Sequence, residues 1–597
     1  MAEKTTGEMQ ATLGLTGLTM NAMALIAPGA FLWLTFAPQA TEGATAPSMW
    51  IGILFALLLC LATAVCYAEM AKLYPGTGSS YYFAEQSFLN HDKAWKYARL
   101  MKFIVGWGSH LYYWIYPGVM VAVTGVFTGY VIGTLYPSFM SASNPGPMFM
   151  MAIAILFSFG VAYIAHRGVN GSTAVSIAIN VIQISALIVF AVMAIGYRMN
   201  HPPGSVAFQW DATTSEAYPY EFATTSQTVN GTATDVITRD ANQVPQPKLD
   251  AAGKPVPYHV SYPANDPSGA FLTHPNAKSV VAIHNFNWMF VQATVAILIL
   301  VGFESVTSLG GEAKNAKRDV PIAVITSLLV QGAFCYLFEY FAANYFLNSG
   351  YPMTSATGSA APIGDMMVMV GDAIFGQGHG RAFMLVEAIT VFLALIGTTL
   401  SCMNTGARVT YAMGKDNEVP EHFGILHEKN LSPHKAIWTL AVISAIFGVL
   451  ALLNLFGDAG ALPDATIQAL PHGFWSSFGY MSHDAMAKLP NSLLTITLAS
   501  NFGTFLLYML SCVTCIFCYS GHPKFSFVKH MAIPIFGIAA NLICMGAYLI
   551  LPFMGYGTKL EPFTALGIAA VWAIYGGIYF VVSSKRTGRT TLVTSKA

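Results

Sequence analysis

Glu304 is the residue in this sequence whose chemistry most needs a reason. It stands in ATVAILILVGFESVTSLGGE (293–312), directly behind Gly302 and Phe303 in an apolar run long enough to cross a membrane. A carboxylate at membrane depth is costly and so is a functional candidate by default. Gly302 lets the backbone leave the helix, and a half-helix restarting beyond it presents unpaired N–H groups to the Glu304 charge. Glu304 is then either a pocket or gating group, or a cap on that helix end. A second interruption lies in ALIAPGAFLWLTF (24–36), where Pro28 lacks an N–H, its ring clashes with the carbonyl four residues earlier, and Gly29 adds freedom. A simple kink explains that pair taken alone, because Pro and Gly are frequent in membrane helices. Two breaks together imply a shared polar pocket, since non-helical backbone at membrane depth must line a cavity or be buried in protein. Exposed N–H groups favour an anion and exposed carbonyls a cation, so the chemistry that fits is the binding of a zwitterion.

The elements that must position these residues follow from composition. Of 597 residues, 55% are hydrophobic and only 9% charged, which is the balance of a polytopic membrane protein. Apolar runs place spans near 15–37, 49–70, 102–133, 147–165, 173–195 and 286–309, then 320–347, 382–412, 433–455, 491–518, 530–552 and 560–582. Twelve spans put both termini on one side. With the N-terminus inside, 20 of the 28 Lys and Arg residues are cytoplasmic and 8 external, so the termini are expected in the cytoplasm. The polar first 14 residues have no basic stretch feeding a short apolar core, so no cleaved signal is expected.

Several function classes are disfavoured. The net charge is zero and no basic stripe interleaves with aromatics, which argues against a nucleic-acid partner. No GxxxxGK[ST] loop is present, so neither nucleotide binding nor ATP hydrolysis is supported. No HExxH occurs and no GxSxG lies within a span, so intramembrane catalysis is not supported and an enzyme is not expected. All eight cysteines fall within expected spans, which leaves CVTCIFC (512–518) as packing rather than a metal or redox site, and no cofactor or metal is expected.

Secondary transporters often consist of two inverted repeats whose broken helices meet at the substrate site. Three stretches here resemble the signatures of the amino acid, polyamine and organocation transporter family: YAEMAKLYPGTGSSYYFAEQSF (67–88), GFESVTSLGGEAKNAKRDVPIAV (302–324) and GARVTYAMGKDNEVPEHFGILHEKNLSP (406–433). The middle one is the most specific, with glycine, an acidic residue, GGE and a basic stretch ending before Pro-x-Ala. The resemblance implies an all-α, LeuT-like fold of twelve helices. Residues 1–14 then form a cytoplasmic tail, 15–195 a first five-helix repeat, 196–285 a large external loop, and 286–518 a second repeat with an external loop at 456–490. Two further helices occupy 530–582, ahead of a cytoplasmic tail at 583–597.

The resemblance also implies a pocket. It draws on Leu25, Ile26, Ala27, Gly29, Ala30 and Phe31 of the first span, with the N–H groups of Gly29, Ala30 and Phe31 facing a carboxylate. Pro28 stands where other members supply a further N–H donor. In the sixth span the carbonyls of Leu298 and Val301 match positions that receive an amino group, beside Gly302, Phe303 and Glu304, and Leu298 replaces a gating aromatic. In GWGSHLYYWIYPG (106–118), Tyr112 or Tyr113 offers a hydroxyl or a cation-π face. For the coupling ion, some relatives hold sodium between first-span carbonyls and two eighth-span hydroxyls, and LIGTTLSCMNTG (395–406) offers Thr398, Thr399 and Ser401. The plainer role of such hydroxyls is a bond to their own backbone one turn back. The lysine that other relatives carry in the fifth span is absent, and proton coupling through Glu304 stays open.

Glu339 and Glu387 fall in the outer parts of their spans, near enough to the interface to be solvated there, and a solvated or packing role is expected for each. Glu69, Glu312 and Arg408 lie at cytoplasmic ends, as a salt-bridge gate or as interfacial charges. Asn230-Gly231-Thr232 fits an N-glycosylation acceptor, a chance match being the plainer reading. The external loop at 196–285 is a lid, an interaction site or a linker. The expected function is a secondary transporter that imports a small amino acid across the plasma membrane by alternating access, drawing on an H+ or Na+ gradient, with the lipid bilayer and a small-molecule substrate as its partners. The alternatives are a polyamine or other organocation as substrate, or a nutrient sensor on the same scaffold.

Overall fold

Long apolar sequence must satisfy its backbone internally, and this chain does so as helices. The computed structural model describes residues 11–594 apart from 27–32, 34–35, 37–45, 137–138, 140–145, 230–231, 261–285, 334–338, 454–491 and 556–558. Ten helices among the described residues are long and apolar enough to cross a membrane. Two expected spans are described in part only. The first is represented by α1 (Leu15–Ile26) with Trp33 and Phe36, and the seventh by helices on either side of 334–338. Ala27, Pro28, Gly29, Ala30 and Phe31 lie outside the described residues, as does the loop at 456–490.

The first half contains α2 (Ala46–Leu73), the short α3 (Ser80–Leu89), α4 (Ala98–Tyr113), α5 (Tyr116–Leu135), α6 (Pro147–His166) and α7 (Val169–Asn200). The second contains α8 (Phe286–Leu300), a 3-10 turn (Phe303–Glu312), α9 (Ala316–Ala333), α10 (Phe341–Phe346), α11 (Met353–Gly358), α12 (Pro362–Phe375), α13 (Gly380–Lys415), α14 (His434–Leu453), α15 (Ser492–Tyr519), α16 (Ile533–Ile550) and α17 (Leu560–Arg586). Helix α1 packs among α7, α9, α13 and the 3-10 turn, and α8 runs along α2. The last helix, α17, is mostly exposed on its flanks, with Val571, Ile574 and Ile578 open to the surroundings. Near the ends of the described chain, Leu13 bridges to Ala313 and Arg589 donates to the carbonyl of Asp416.

The third span differs from the continuous run expected over 102–133. It is broken at Trp114–Ile115, between α4 and α5. The reason lies in Pro117, which offers no N–H to the carbonyl of Tyr113 four residues earlier. The thiol of Cys402 on α13 points its Sγ at that freed carbonyl, 4.0 Å away.

The chain is also not wholly helical. After α7, two antiparallel hairpins form, β1 (Gln209–Asp211) with β2 (Glu216–Tyr218) and β3 (Thr224–Val229) with β4 (Thr232–Ile237). Val229 pairs with Thr232, which leaves two residues between the strands, the length Asn-Gly favours. Of the Asn230-Gly231-Thr232 motif, Thr232 opens β4, and Asn230 and Gly231 lie outside the described residues.

Candidate functional site

Helix α8 ends on the bond from the Val301 N–H to the carbonyl of Ile297 at 3.0 Å, and Gly302 then turns the chain with a φ of +118°. That left-handed conformation suits glycine, and space forbids anything larger. A Cβ at this position would come within 2.5 Å of Cγ of Leu25, at the end of α1. The sixth-span break is therefore seated directly against the first span.

Glu304 sits just beyond, fully buried. Its Oε2 accepts the Gly302 N–H at 3.1 Å and the Tyr508 hydroxyl at 2.8 Å, while Oε1 accepts the Tyr113 hydroxyl at 3.2 Å. The carboxyl group thus caps its own half-helix and at the same time ties together the third, sixth and tenth spans. None of the ion pairs among the described residues involves it.

Aromatic rings surround this carboxyl group. Phe303 lies 5.4 Å from Tyr508 and 6.3 Å from Tyr67, ring centre to ring centre, and Tyr112 lies 4.6 Å from Tyr113 and 5.2 Å from Tyr116. Tyr112 is buried with no hydrogen-bond partner for its hydroxyl among the described residues, whereas Tyr113 is the one that reaches Glu304. Leu25, Ile26, Leu298 and Val301 are buried around the same point, and the Leu298 carbonyl accepts the Tyr116 hydroxyl at 3.5 Å. Sequence reasoning missed Tyr508, Tyr116 and Tyr67. Tyr67 opens one of the quoted signatures, but nothing local distinguishes Tyr508 within NFGTFLLYMLSC.

The eighth-span hydroxyls divide. Thr398 donates to the carbonyl of Ala24 at 3.1 Å and Ser401 to that of Asn21 at 2.9 Å, so both bond across to α1 instead of to their own helix. Thr399 is buried with no partner among the described residues.

Two further buried polar clusters share elements with the site. In one, Arg408 grips Glu312 through Nε at 3.1 Å and Nη2 at 2.9 Å, a buried two-pronged pair between α13 and the 3-10 turn. Glu69 lies apart, with Lys72 at 2.7 Å. In the other, Asp365 on α12 accepts the hydroxyls of Tyr130 at 2.7 Å and Tyr351 at 2.9 Å. Trp33 is close by, because a Cβ on Gly364 would meet both its ring and the Tyr130 hydroxyl. The Asp365 carboxyl, outside the membrane-length helices, is pushed up to about 6 by burial, against the opposing hydrogen bonds from Ser359, Tyr130 and Tyr351.

Of the solvated and packing roles expected at two glutamates, the structure has the packed one. Glu339 and Glu387 are not solvated: the first is fully buried and the second nearly so. Their neighbours in the bundle, not their distance from the ends of their spans, decide this.

Comparisons with known proteins bear on the family and the fold. The branched-chain amino acid permease BcaP of Bacillus subtilis (strain 168) is 24% identical over 467 residues, 75% of this chain and 77% of that protein. Its namesake from Lactococcus lactis subsp. cremoris (strain MG1363) is 27% identical over 215 residues, 35% of this chain and 40% of that protein. The low-affinity putrescine importer PlaP of Escherichia coli (strain K12) is 22% identical over 477 residues, 78% of this chain and 82% of that protein. Among solved structures, MhsT in complex with L-phenylalanine matches with a TM-score of 0.51 at 14% identity, covering 91% of this chain and 99% of that one, a likeness of fold. A sequence profile of the amino acid permease family matches residues 11–578, and the chain belongs to that family.

Proposed function

We propose that this permease is a secondary transporter that moves an amino acid across the plasma membrane by alternating access. The carrying observation is the Gly302 break, seated on α1 beside a buried carboxyl group; in this reading the Arg408–Glu312 pair and the Tyr130–Asp365–Tyr351 cluster act as the two barriers. A compartment with a barrier at each end is what alternating access requires: one barrier opens while the other holds. In this reading the twelve spans form two inverted sets of five with two added helices, and both termini are cytoplasmic.

The substrate carboxylate meets the amides of Gly29, Ala30 and Phe31, and the amino group meets the carbonyls of Leu298 and Val301. The side chain then faces Leu25, Ile26, Phe303 and Tyr112, an apolar and aromatic surface that favours a branched or otherwise apolar amino acid. The names of the two BcaP relatives support that class. A diamine or other organocation is the second reading. It draws on a Glu304 carboxyl group with no ion-pair partner among the described residues, the donor withheld by Pro28, and the relative named as a putrescine importer.

Coupling is to H+ or Na+. Glu304, between two phenols, is suited to carry a proton, while the Thr398 and Ser401 hydroxyls facing the Ala24 and Asn21 carbonyls are suited to a small cation. The test is uptake into liposomes of labelled amino acids and diamines under imposed proton or sodium gradients. Gradient-driven accumulation of an apolar amino acid is expected. Diamine uptake untouched by any amino acid would establish the second reading, and saturable binding without accumulation would make the protein a sensor.

A further inference from the structure

The connection that follows α7 folds back onto the helices around Asp365. Its hairpin β1–β2 is anchored from several sides: the Trp210 N–H donates to the Gly350 carbonyl at 3.0 Å, and the Ala217 N–H to Oδ2 of Asp372 on α12 at 3.5 Å. At the start of α13, Arg381 donates to the Thr214 carbonyl at 2.8 Å and pairs with Glu216 at 3.1 Å. Asp372 also accepts the N–H groups of Gly378 and Gly380 at 2.9 and 2.7 Å, so one carboxyl group holds the end of α12, the start of α13 and the hairpin together.

Gly350 is fitted to this contact. Its φ is +112°, and a Cβ there would come within 1.9 Å of the Phe208 carbonyl oxygen, so glycine lets the strand lie directly on the chain. The next residue is Tyr351, whose hydroxyl is one of the two phenolic donors to Asp365. The Trp210 ring meets the Tyr351 ring edge to face, 5.7 Å between centres, and both are buried. The Trp210 indole N–H has no hydrogen-bond partner among the described residues, so the ring holds Tyr351 by packing and not by a polar bond. Strands of three residues each make a hairpin too small to be stable alone, so its shape depends on what it is docked against.

From this geometry we propose that Trp210 is a positioning residue for the Asp365 cluster: its ring fixes Tyr351 so that the hydroxyl reaches Asp365, and hairpin β1–β2 must loosen for that barrier to open. The inference rests on the reading of the Tyr130–Asp365–Tyr351 cluster as one barrier of a transporter. It gives part of the long connection a role in that barrier, through the residue beside the Gly350 contact.

The test reads access to the cluster directly, in the purified full chain in detergent micelles. Ala361 is fully buried one turn before Asp365, whose N–H its carbonyl accepts at 3.3 Å, and Ala361→Cys places a thiol there. The probe is the charged thiol reagent MTSET; the cysteines among the described residues are all buried, and the unmodified protein gives their background. Labelling of Ala361→Cys is expected to be slow. Adding Trp210→Ala should speed it about ten-fold, whereas Trp210→Phe, which keeps a ring and loses only an unpaired N–H, should stay near the slow rate. Glu216→Arg turns the ion pair with Arg381 into a repulsion at a half-buried position and should speed labelling about three-fold, which keeps the check should Trp210→Ala fail to fold. Labelling that stays slow in the folded Trp210→Ala or Glu216→Arg protein would overturn the proposal, as would a Trp210→Phe protein that labels as fast as Trp210→Ala. Because labelling needs no substrate, such a result leaves the transporter reading standing, and that reading falls only to the uptake measurement.

Discussion

Thr398 donates its hydroxyl hydrogen to the carbonyl of Ala24, and Ala24 is the residue whose carbonyl Pro28, four positions later, has no N–H to pair. The acceptor stands four residues before a proline in one span and takes a hydrogen from the side chain of another. Replacing Thr398 with valine keeps the shape and removes the donor, at a cost of about 1–3 kcal/mol for a buried unpaired carbonyl. We expect Thr398→Val to lower uptake roughly ten-fold and Thr398→Ser to restore most of it. Full activity in the valine variant would show that the bond does not hold the two spans together.

Glu304 and Tyr508 make the second test. A hydrogen bond to a charged group contributes about 1.5–3 kcal/mol, so Tyr508→Phe should reduce uptake by ten-fold or more. Glu304→Gln keeps the size and loses the charge, and is expected to impair transport and flatten its pH dependence while leaving membrane insertion intact. Unchanged uptake with an unchanged pH profile would reduce Glu304 to a helix-end cap.

The Arg408–Glu312 pair is buried on both sides. Removing one partner leaves an uncompensated charge, so Arg408→Ala and Glu312→Ala should each destabilise the protein by about 3–5 kcal/mol. Removing both should cost clearly less than the sum. Thermal unfolding of the three variants reads the coupling, and strict additivity would mean that the pair contributes nothing as a pair.

Asp365 carries a pH dependence of stated sign. Its carboxyl is raised from 3.8 to about 6 in the folded protein, chiefly by burial, so the docked arrangement favours the protonated form. The resulting stability is complete below 3.8 and is lost as pH rises through about 6. The difference between the two limits is on the order of 3 kcal/mol. The unmodified protein should therefore unfold at a higher temperature at pH 5 than at pH 7.5, relative to Asp365→Asn, which lacks the titrating group. Parallel pH profiles for the two proteins would remove Asp365 as the cause.

Local sequence carried the fold a long way, because helix length at membrane depth depends on apolar runs and chain breaks depend on Gly and Pro. The expected spans at 49–70, 147–165, 433–455 and 491–518 match helices, and the Gly302 break is seen where the sequence puts it. Pro117 carried the same information for the third span and went unread.

The sequence by itself determined which residues are apolar enough to span, where the helices open and which carbonyl loses its donor, since these depend on residues within a turn of one another. Only the tertiary structure decided that Tyr113 and not Tyr112 reaches Glu304, that Tyr508 arrives from 204 positions away, and that Arg408 meets Glu312 across 96. It also decided that Glu339 and Glu387 are buried. Hydropathy fixes a residue's depth along a span but not the direction it faces around the helix. That direction is set by how the helices rotate and pack against one another.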